Sequence, residues 1–175
     1  MVPVALATER LLLRPWVPAD ETPMAAINRD PEVTRYLNRP VDEPAVEAFF
    51  ADMTGHWARH GFGFYAVELR EQGRFIGFVG AAYPAYLPEL DRRPELGWRL
   101  ARDFWGRGLA GEAAAAARDD AFGRLGLAEL ISVIHPANAR SRSVAGRLGM
   151  AVERRVHNPH IDRDVEVWRL GASER

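Results

Sequence analysis

The chain has 175 residues, enough for one domain with a hydrophobic core and too few for two ordinary ones. With no cysteine it holds no disulfide, no thiolate metal site and no cysteine nucleophile, and a formal net charge of −1 removes any global pull toward nucleic acid or an anionic membrane. All 23 basic residues are arginine, which excludes a Walker-type phosphate loop and Schiff-base chemistry, since both need lysine.

Taken in chain order, "TERLLLRPW" (Thr8–Trp16) has the alternating apolar spacing of a first strand. "PADETPMAAINRD" follows as a short helix, with Asp20 as its expected N-cap and Met24 and Ile27 on its apolar face. "DPEVTRYLNRP" is turn-rich and breaks that helix. From Asp42 the positions Val46, Phe49, Phe50, Met53 and Trp57 recur at threes and fours, a helix that Gly61 closes. "FGFYAVELR" and "GRFIGFVGAAY" flank "EQG" and read as a hairpin. "PAYLPELDRRP" carries Pro84, Pro88 and Pro94 and is a loop. "ELGWRLA" alternates, with Leu96, Trp98 and Leu100 on one face and Glu95, Gly97 and Arg99 on the other.

Next comes "FWGRGLAGEAAAAARDDAF", a glycine turn and a helix from about Leu109 to Leu125. "LAELISVIHP" is a buried strand, "ANARSRSVAGRLGM" a short helix ending at Gly149, and "AVERRVHN" and "RDVEVWRLG" two closing strands. The expected class is α+β: one domain over residues 8–171, a mixed, mostly antiparallel sheet of about seven strands and about four helices. No run of residues approaches a membrane span and the N-terminus lacks a basic signal-peptide region, so a cytoplasmic location is expected.

Gly106, Gly108 and Gly111 spell G-x-G-x-x-G, the dinucleotide fingerprint. A helix beginning right after such a turn points free N–H groups and its positive dipole end at whatever anion sits there. The dinucleotide reading fails on its neighbours. The preceding strand is only half apolar, and the next strand ends in His135 and Pro136 where a ribose-binding acid is needed.

The order and wording of three blocks resemble the GNAT superfamily of acyl-CoA-dependent N-acetyltransferases, above all its ribosomal-protein-alanine N-acetyltransferase branch. The blocks are "TERLLLRPW", "ELGWRLARDFWGRGLAGEA" and "HPANARSRSVAGRLGM", and together they extend the resemblance over nearly the whole chain. It implies acetyl-CoA as co-substrate, no metal, and direct acetyl transfer to a primary amine, either a protein N-terminus or a small molecule. The alternative it leaves is a CoA-binding sensor of the same fold without transferase activity. It also leaves a homodimer open.

Carried onto these residues, the resemblance places the CoA pyrophosphate on the backbone amides of Arg107, Gly108, Leu109, Ala110 and Gly111. The side chains of Arg107 and Arg142 could meet its phosphates or simply be solvated. The pantetheine arm would lie along Gly97–Leu100, with a backbone N–H near Trp98 or Arg99 polarising the thioester carbonyl and Asn138 bonding the pantetheine amides. Glu95 is the first candidate base, and otherwise a solvent-facing strand carboxylate. His135 is the second, and otherwise a histidine satisfied at a strand end. Ser141 is the candidate donor to the thiolate, and otherwise the cap of the helix starting near Asn138. Many members of the superfamily carry a tyrosine acid about seven residues after the asparagine; here that place is Ala145.

Overall fold

Alternating apolar runs become strands here and runs spaced by three and four become helices. The computed structural model describes residues 4–38, 41–84 and 86–174. In chain order these form β1 (Leu6–Ala7), β2 (Leu11–Arg14), α1 (Glu21–Arg29), α2 (Pro31–Thr34), α3 (Glu43–His60), β3 (Phe64–Leu69), β4 (Arg74–Ala82), β5 (Glu95–Leu100), α4 (Leu109–Gly123), β6 (Glu129–Ile134), α5 (Ala139–Arg147), β7 (Ala151–Asn158) and β8 (Arg163–Gly171). The strands make one sheet in the order β1-β2-β3-β4-β5-β6-β8-β7. Every neighbouring pair is antiparallel except β5 and β6, which run parallel.

The alternation sorts the core onto two faces. Leu96, Leu100, Leu130, Ile134, Trp168 and Leu170 join the cluster under α4 and α5. The small side chains Ala113, Ala114 and Ala117 let α4 lie close against the sheet. On the opposite face Met24 and Ile27 of α1, Phe49 of α3 and Phe78 of β4 pack together. There the loop after β4 lays Leu87 and Leu90 over Ile131, Val133, Val165 and Val167. Each such side chain removed from water stabilises the fold by roughly 1.5–3 kcal/mol.

Three local expectations change. The first strand is two: Thr8 turns the chain, its hydroxyl accepting from Leu11 N–H at 3.0 Å, and Leu6–Ala7 adds an eighth, edge strand. The turn-rich "DPEVTRYLNRP" contains the single helical turn α2, which Asp30 caps by accepting from Glu32 N–H at 2.9 Å. Arg39 and Pro40, at the end of that stretch, lie outside the described residues. Finally, Asp20 makes no cap bond to α1. Its buried carboxylate takes both ends of the Arg14 guanidinium at 2.8 Å and the Val17 N–H at 2.9 Å. A buried charge needs its partner, and a bidentate arginine satisfies a carboxylate better than one helix N–H does.

The cap of α3 is as expected. Asp42 accepts from Ala45 N–H at 2.9 Å, and Gly61 ends the helix at φ +73°. Inside α3, buried His56 donates from Nδ1 to the Phe62 carbonyl at 2.8 Å and accepts at Nε2 from Tyr83 N–H at 3.1 Å. Both bonds require the neutral ring. Burial holds its pKa below the ordinary imidazole value, with repulsion from His60 and Arg59 adding to the effect.

In the window just below about 6.5, where a free imidazole titrates, the unfolded chain therefore binds a proton that the native chain refuses. Stability should fall as pH is lowered from 7 toward 5, with His56 contributing a slope of at most about 1.4 kcal/mol per pH unit. Urea denaturation at several pH values checks this. His56→Gln should flatten the slope, and an unchanged slope would remove His56 from the account.

Candidate active site

The site begins with which way the β5 backbone groups point. Ala101 N–H bonds the Ile76 carbonyl at 2.9 Å, which sets the phase of the β4–β5 ladder. Gly97 and Arg99 therefore turn their N–H and C=O toward β4, opposite Gly80 and Phe78, while Leu96, Trp98 and Leu100 turn theirs toward β6. On β6 the same reasoning applies. Ala172 N–H bonds the Ala128 carbonyl, so Leu130, Ser132 and Ile134 bond β8, and Ile131 and Val133 face β5.

β5 and β6 share only the pair Glu95↔Ile131. Ile131 N–H donates to the Pro94 carbonyl at 2.9 Å, and buried Ser132 Oγ donates to the Leu96 carbonyl at 2.6 Å. Beyond that point the strands part. The wedge leaves the Trp98 N–H and C=O and the Leu100 N–H facing an opening rather than a strand. The Leu100 carbonyl is taken by Trp105 Nε1 at 2.9 Å. Across the wedge, the Val133 carbonyl accepts from the Asn38 side-chain amide at 2.6 Å. Asn38 is itself held, because its main-chain carbonyl accepts from the side-chain amide of buried Asn158 at 2.6 Å.

Two clefts meet at this wedge and share Tyr36, Leu37, Trp98, Arg99, Asn138 and Ser141. The first runs over the α3 face. Gly97 is its floor, and a Cβ there would stand 3.0 Å from the Phe64 ring. Glu95 stands at one end, half-buried, with both carboxylate oxygens accepting from the Tyr86 hydroxyl at 2.9 Å. At the other end the Arg99 guanidinium lies over Phe49 and Phe78, at 5.4 and 5.2 Å from their ring centroids, and donates to Asn28.

The second cleft opens onto the N-terminus of α4. Gly108 occupies the N-cap position in the left-handed region, φ +76°, and Gly106 also has positive φ, +72°. Both conformations are cheap only for glycine. They leave the first N–H groups of α4, around Leu109, Ala110 and Gly111, directed into the cleft.

The turn is braced from behind. Glu112, one turn into α4, accepts from the Thr8 hydroxyl at 2.6 Å, the Arg10 N–H at 2.9 Å and Arg10 Nε at 2.6 Å. Arg10 Nη1 also donates to the Arg107 carbonyl at 2.9 Å. Burial opposes the Glu112 charge, but the bonds from Thr8 and Arg10 outweigh it and hold the carboxyl below the ordinary range. Arg10 thus ties down the turn and neutralises the carboxylate in the first turn of α4.

Asn138 caps α5: its Oδ1 accepts from Ser141 N–H at 3.1 Å. The cap is thus Asn138, not Ser141, and the Asn138 NH2 and the Ser141 hydroxyl make no hydrogen bond among the described residues. Both residues line the two clefts. His135 lines the first cleft with its ring 5.3 Å from that of Tyr36, and its Nδ1 accepts from Ala137 N–H at 3.1 Å. Burial, then the charge of Arg163, lowers its pKa. The neutral ring carries its proton on Nε2, so the nitrogen that could accept another is already engaged.

Arg107 and Arg142 are both exposed and are not among the residues that line the second cleft. The Arg107 guanidinium lies 5.6 Å from the Phe104 ring centroid, and Arg142 pairs with buried Glu166 at 3.1 Å. The arginines that line the second cleft are Arg35, Arg140 and Arg147, with Arg140 4.8 Å from the Trp105 ring centroid. On a short helix one face must serve the buried carboxylate, and Arg142 is on that face. Tyr86, Asn38 and Ser132 lie in or beside the site without any motif to announce them.

Residues 10–151 match the family described as acetyltransferase (GNAT) domain. A crystal structure of an acetyltransferase from Agrobacterium tumefaciens is 32% identical, covers 97% of this chain and 95% of its own, and superposes with a TM-score of 0.84. An uncharacterised N-acetyltransferase, p20, of Bacillus licheniformis is 28% identical over 85% of this chain and 83% of its own. The fold is also that of a ribosomal L7/L12 alpha-N-protein acetyltransferase, RimL, in complex with coenzyme A. That chain is 16% identical, with a TM-score of 0.77 over 96% of this chain and 98% of the other.

Gly108→Glu should abolish coenzyme A binding, because it forces a side chain into left-handed backbone and sets a carboxylate at the helix N-terminus. Arg10→Ala, which removes the brace but nothing that lines the cleft, should weaken binding by about tenfold, the loss of roughly one charged hydrogen bond. Isothermal titration calorimetry reads both; undiminished affinity in Gly108→Glu would displace the cofactor from this turn.

Proposed function

The chain belongs to the acetyltransferase (GNAT) family and is an acetyl-CoA-dependent N-acetyltransferase; from that premise we propose that residues 8–171 form the transferase unit and move the acetyl group by direct attack of an amine within the wedge between β5 and β6. The observation that carries the reading is the wedge itself. Two strands of one sheet part after a single rung, and a helix N-terminus opens into the same cleft.

Bound there, acetyl-CoA supplies an acetyl thioester. The backbone N–H groups at the start of α4 hold the pyrophosphate, where three or four unsatisfied donors and the positive end of the dipole face one anion. The Trp98 N–H and C=O, the Leu100 N–H and the Asn138 NH2 pair with the pantetheine amides as an added strand would. The Trp98 N–H is the donor best directed toward the acetyl carbonyl oxygen, ahead of Arg99, whose backbone is engaged with β4.

One proton movement and one hydrogen bond complete the transfer. As the N–C bond forms, the amine loses its proton to Glu95, directly or through a water, and the Tyr86 hydroxyl holds that carboxylate in place. As the C–S bond breaks, Ser141 Oγ–H donates a hydrogen bond to the sulfur, which leaves as coenzyme A thiolate. The Ser141 hydroxyl is available for this because Asn138 does the capping. His135 serves as a wall of the amine cleft. The acceptor is a small-molecule amine or a protein N-terminus, and the location we propose for the reaction is the cytoplasm.

Thiol release from acetyl-CoA in the presence of an amine panel tests the reading, and absence of release with retained coenzyme A binding would leave only a binding domain. Glu95→Gln should lower kcat by about 10²- to 10⁴-fold, the usual worth of a general base. It should change the acetyl-CoA KM by less than about twofold, because Glu95 does not line the second cleft. Ser141→Ala should lower kcat by about tenfold, the equivalent of one hydrogen bond made as the C–S bond breaks. Unchanged kcat in Glu95→Gln would move the base elsewhere.

A further inference from the structure

Chemistry within the first cleft goes further than "an amine". Its walls are rings. Tyr36, Phe64, Tyr83, Tyr86 and Trp98 all line it, and each is only partly buried in the folded chain. Aliphatic and thioether surface from Leu37 and Met53 fills between them. A folded chain does not usually gather five partly exposed aromatic rings around one trough unless something apolar covers them.

Among the described residues, the charges lining the trough cancel. Glu95 and Asp52 are acidic, Arg59 and Arg99 basic. Their positions matter more than their sum. Glu95 lies at the inner end, beside the wedge, with Tyr86 on its oxygens. Arg99 lies at the far end of the same strand face, four residues or about 13 Å along β5. Asp52 is exposed on α3, where an ion pair in water is worth little. Arg59 shares that rim, its guanidinium folded back along the helix to within 3.3 Å of where a Gly55 Cβ would stand. His56 of the same helix is neutral and committed to backbone bonds at both nitrogens.

A chain carrying two ammonium groups would set the first at Glu95 and the second among rings or near a guanidinium. Among the described residues no buried carboxylate lines the trough to meet that second charge, and desolvating it without one is unfavourable. A single ammonium has no such problem. It meets Glu95 and the faces of Tyr86 and Trp98, and its body replaces water on the remaining rings.

We propose, resting on the transferase reading above, that the acceptor is a monoamine with an aromatic or branched apolar body and no second cation near the reacting nitrogen. That chemistry is shared by a free arylalkylamine and by a peptide whose first residue is large and apolar.

The test is calorimetric binding to the full chain saturated with coenzyme A, using phenethylamine, hexylamine, 1,6-diaminohexane and the amidated peptide Phe-Gly-Gly. Phenethylamine and hexylamine should bind at least about tenfold more tightly than 1,6-diaminohexane, a difference of about 1.4 kcal/mol. Equal or tighter binding of the diamine overturns the proposal, and so does failure of all four to bind at millimolar concentration. Tighter binding of Phe-Gly-Gly than of phenethylamine supports it and assigns the source to a protein N-terminus; the reverse order supports it and assigns a small molecule.

Met53→Glu adds a half-buried carboxylate to the trough wall, beyond Glu95 and the exposed Asp52, and should close the gap between diamine and monoamine by about tenfold, with coenzyme A affinity as the check on folding. An unchanged gap in a variant that still binds coenzyme A overturns the placement. Thiol release is measured on the same amines. If phenethylamine binds selectively yet releases no thiol, the transferase reading fails while the acceptor chemistry stands; thiol release that favours the diamine refutes the acceptor chemistry and leaves the transferase reading intact.

Discussion

One parallel rung between β5 and β6 determines what this molecule can do. Ile131 N–H meets the Pro94 carbonyl, Ser132 Oγ meets the Leu96 carbonyl, and there the pairing ends. Backbone groups in a sheet interior must find partners, and an open wedge deprives several of them at once. The chain satisfies some from its own side chains: Asn38 takes the Val133 carbonyl and the Trp105 indole takes the Leu100 carbonyl. Those left, at Trp98 and the Leu100 N–H, are the groups we propose an extended, amide-bearing arm uses. The wedge is an unfinished sheet, and which groups it leaves open follows from the hydrogen-bonding phase of β5.

Around that wedge the elements act as positioning devices rather than as catalysts. Gly108 at φ +76° lets α4 begin at the cleft, and Arg10 and Glu112 hold the turn against the N-terminal strands. Glu166, buried, anchors Arg142 at 3.1 Å and Arg155 at 3.3 Å, so α5 is pinned to the sheet while Arg140 and Arg147 on its other side line the cleft. A buried carboxylate stripped of its arginines is costly, by about 3–5 kcal/mol where it has been measured, so this anchor is strict. The same device recurs at Asp20 with Arg14, far from the chemistry, where it fixes the entry to α1.

Much of this is legible in the amino-acid sequence because it depends on local patterns. The strand character of Glu95–Leu100 follows from alternation, and the helix after Gly108 from glycines and an alanine run. The start of α5 near Asn138 is legible too, though the sequence offers Ser141 as its cap and the structure uses Asn138. What resists reading depends on contacts between different elements. Asp20 has the composition of a cap and becomes half of an ion pair because Arg14, at the end of β2 six residues earlier, reaches its carboxylate. Tyr86 sits in a proline-rich loop without periodicity, yet its hydroxyl holds Glu95. Arg107 and Arg142 are equivalent to Arg140 and Arg147 as letters. Only the rotation of α5 and the position of Phe104 decide which of them face the cleft. The eighth strand, Leu6–Ala7, is two residues long and carries no period at all.

The central claim is that β5 presents alternate backbone amides to the wedge, and amide hydrogen exchange reads it one residue at a time. With ¹⁵N-labelled protein, adding coenzyme A should slow exchange at Trp98 and Leu100, whose N–H groups gain partners. It should leave Gly97 and Arg99, already bonded to β4, nearly unchanged. Protection spread evenly over Gly97–Leu100, or absent from Trp98, would contradict the account.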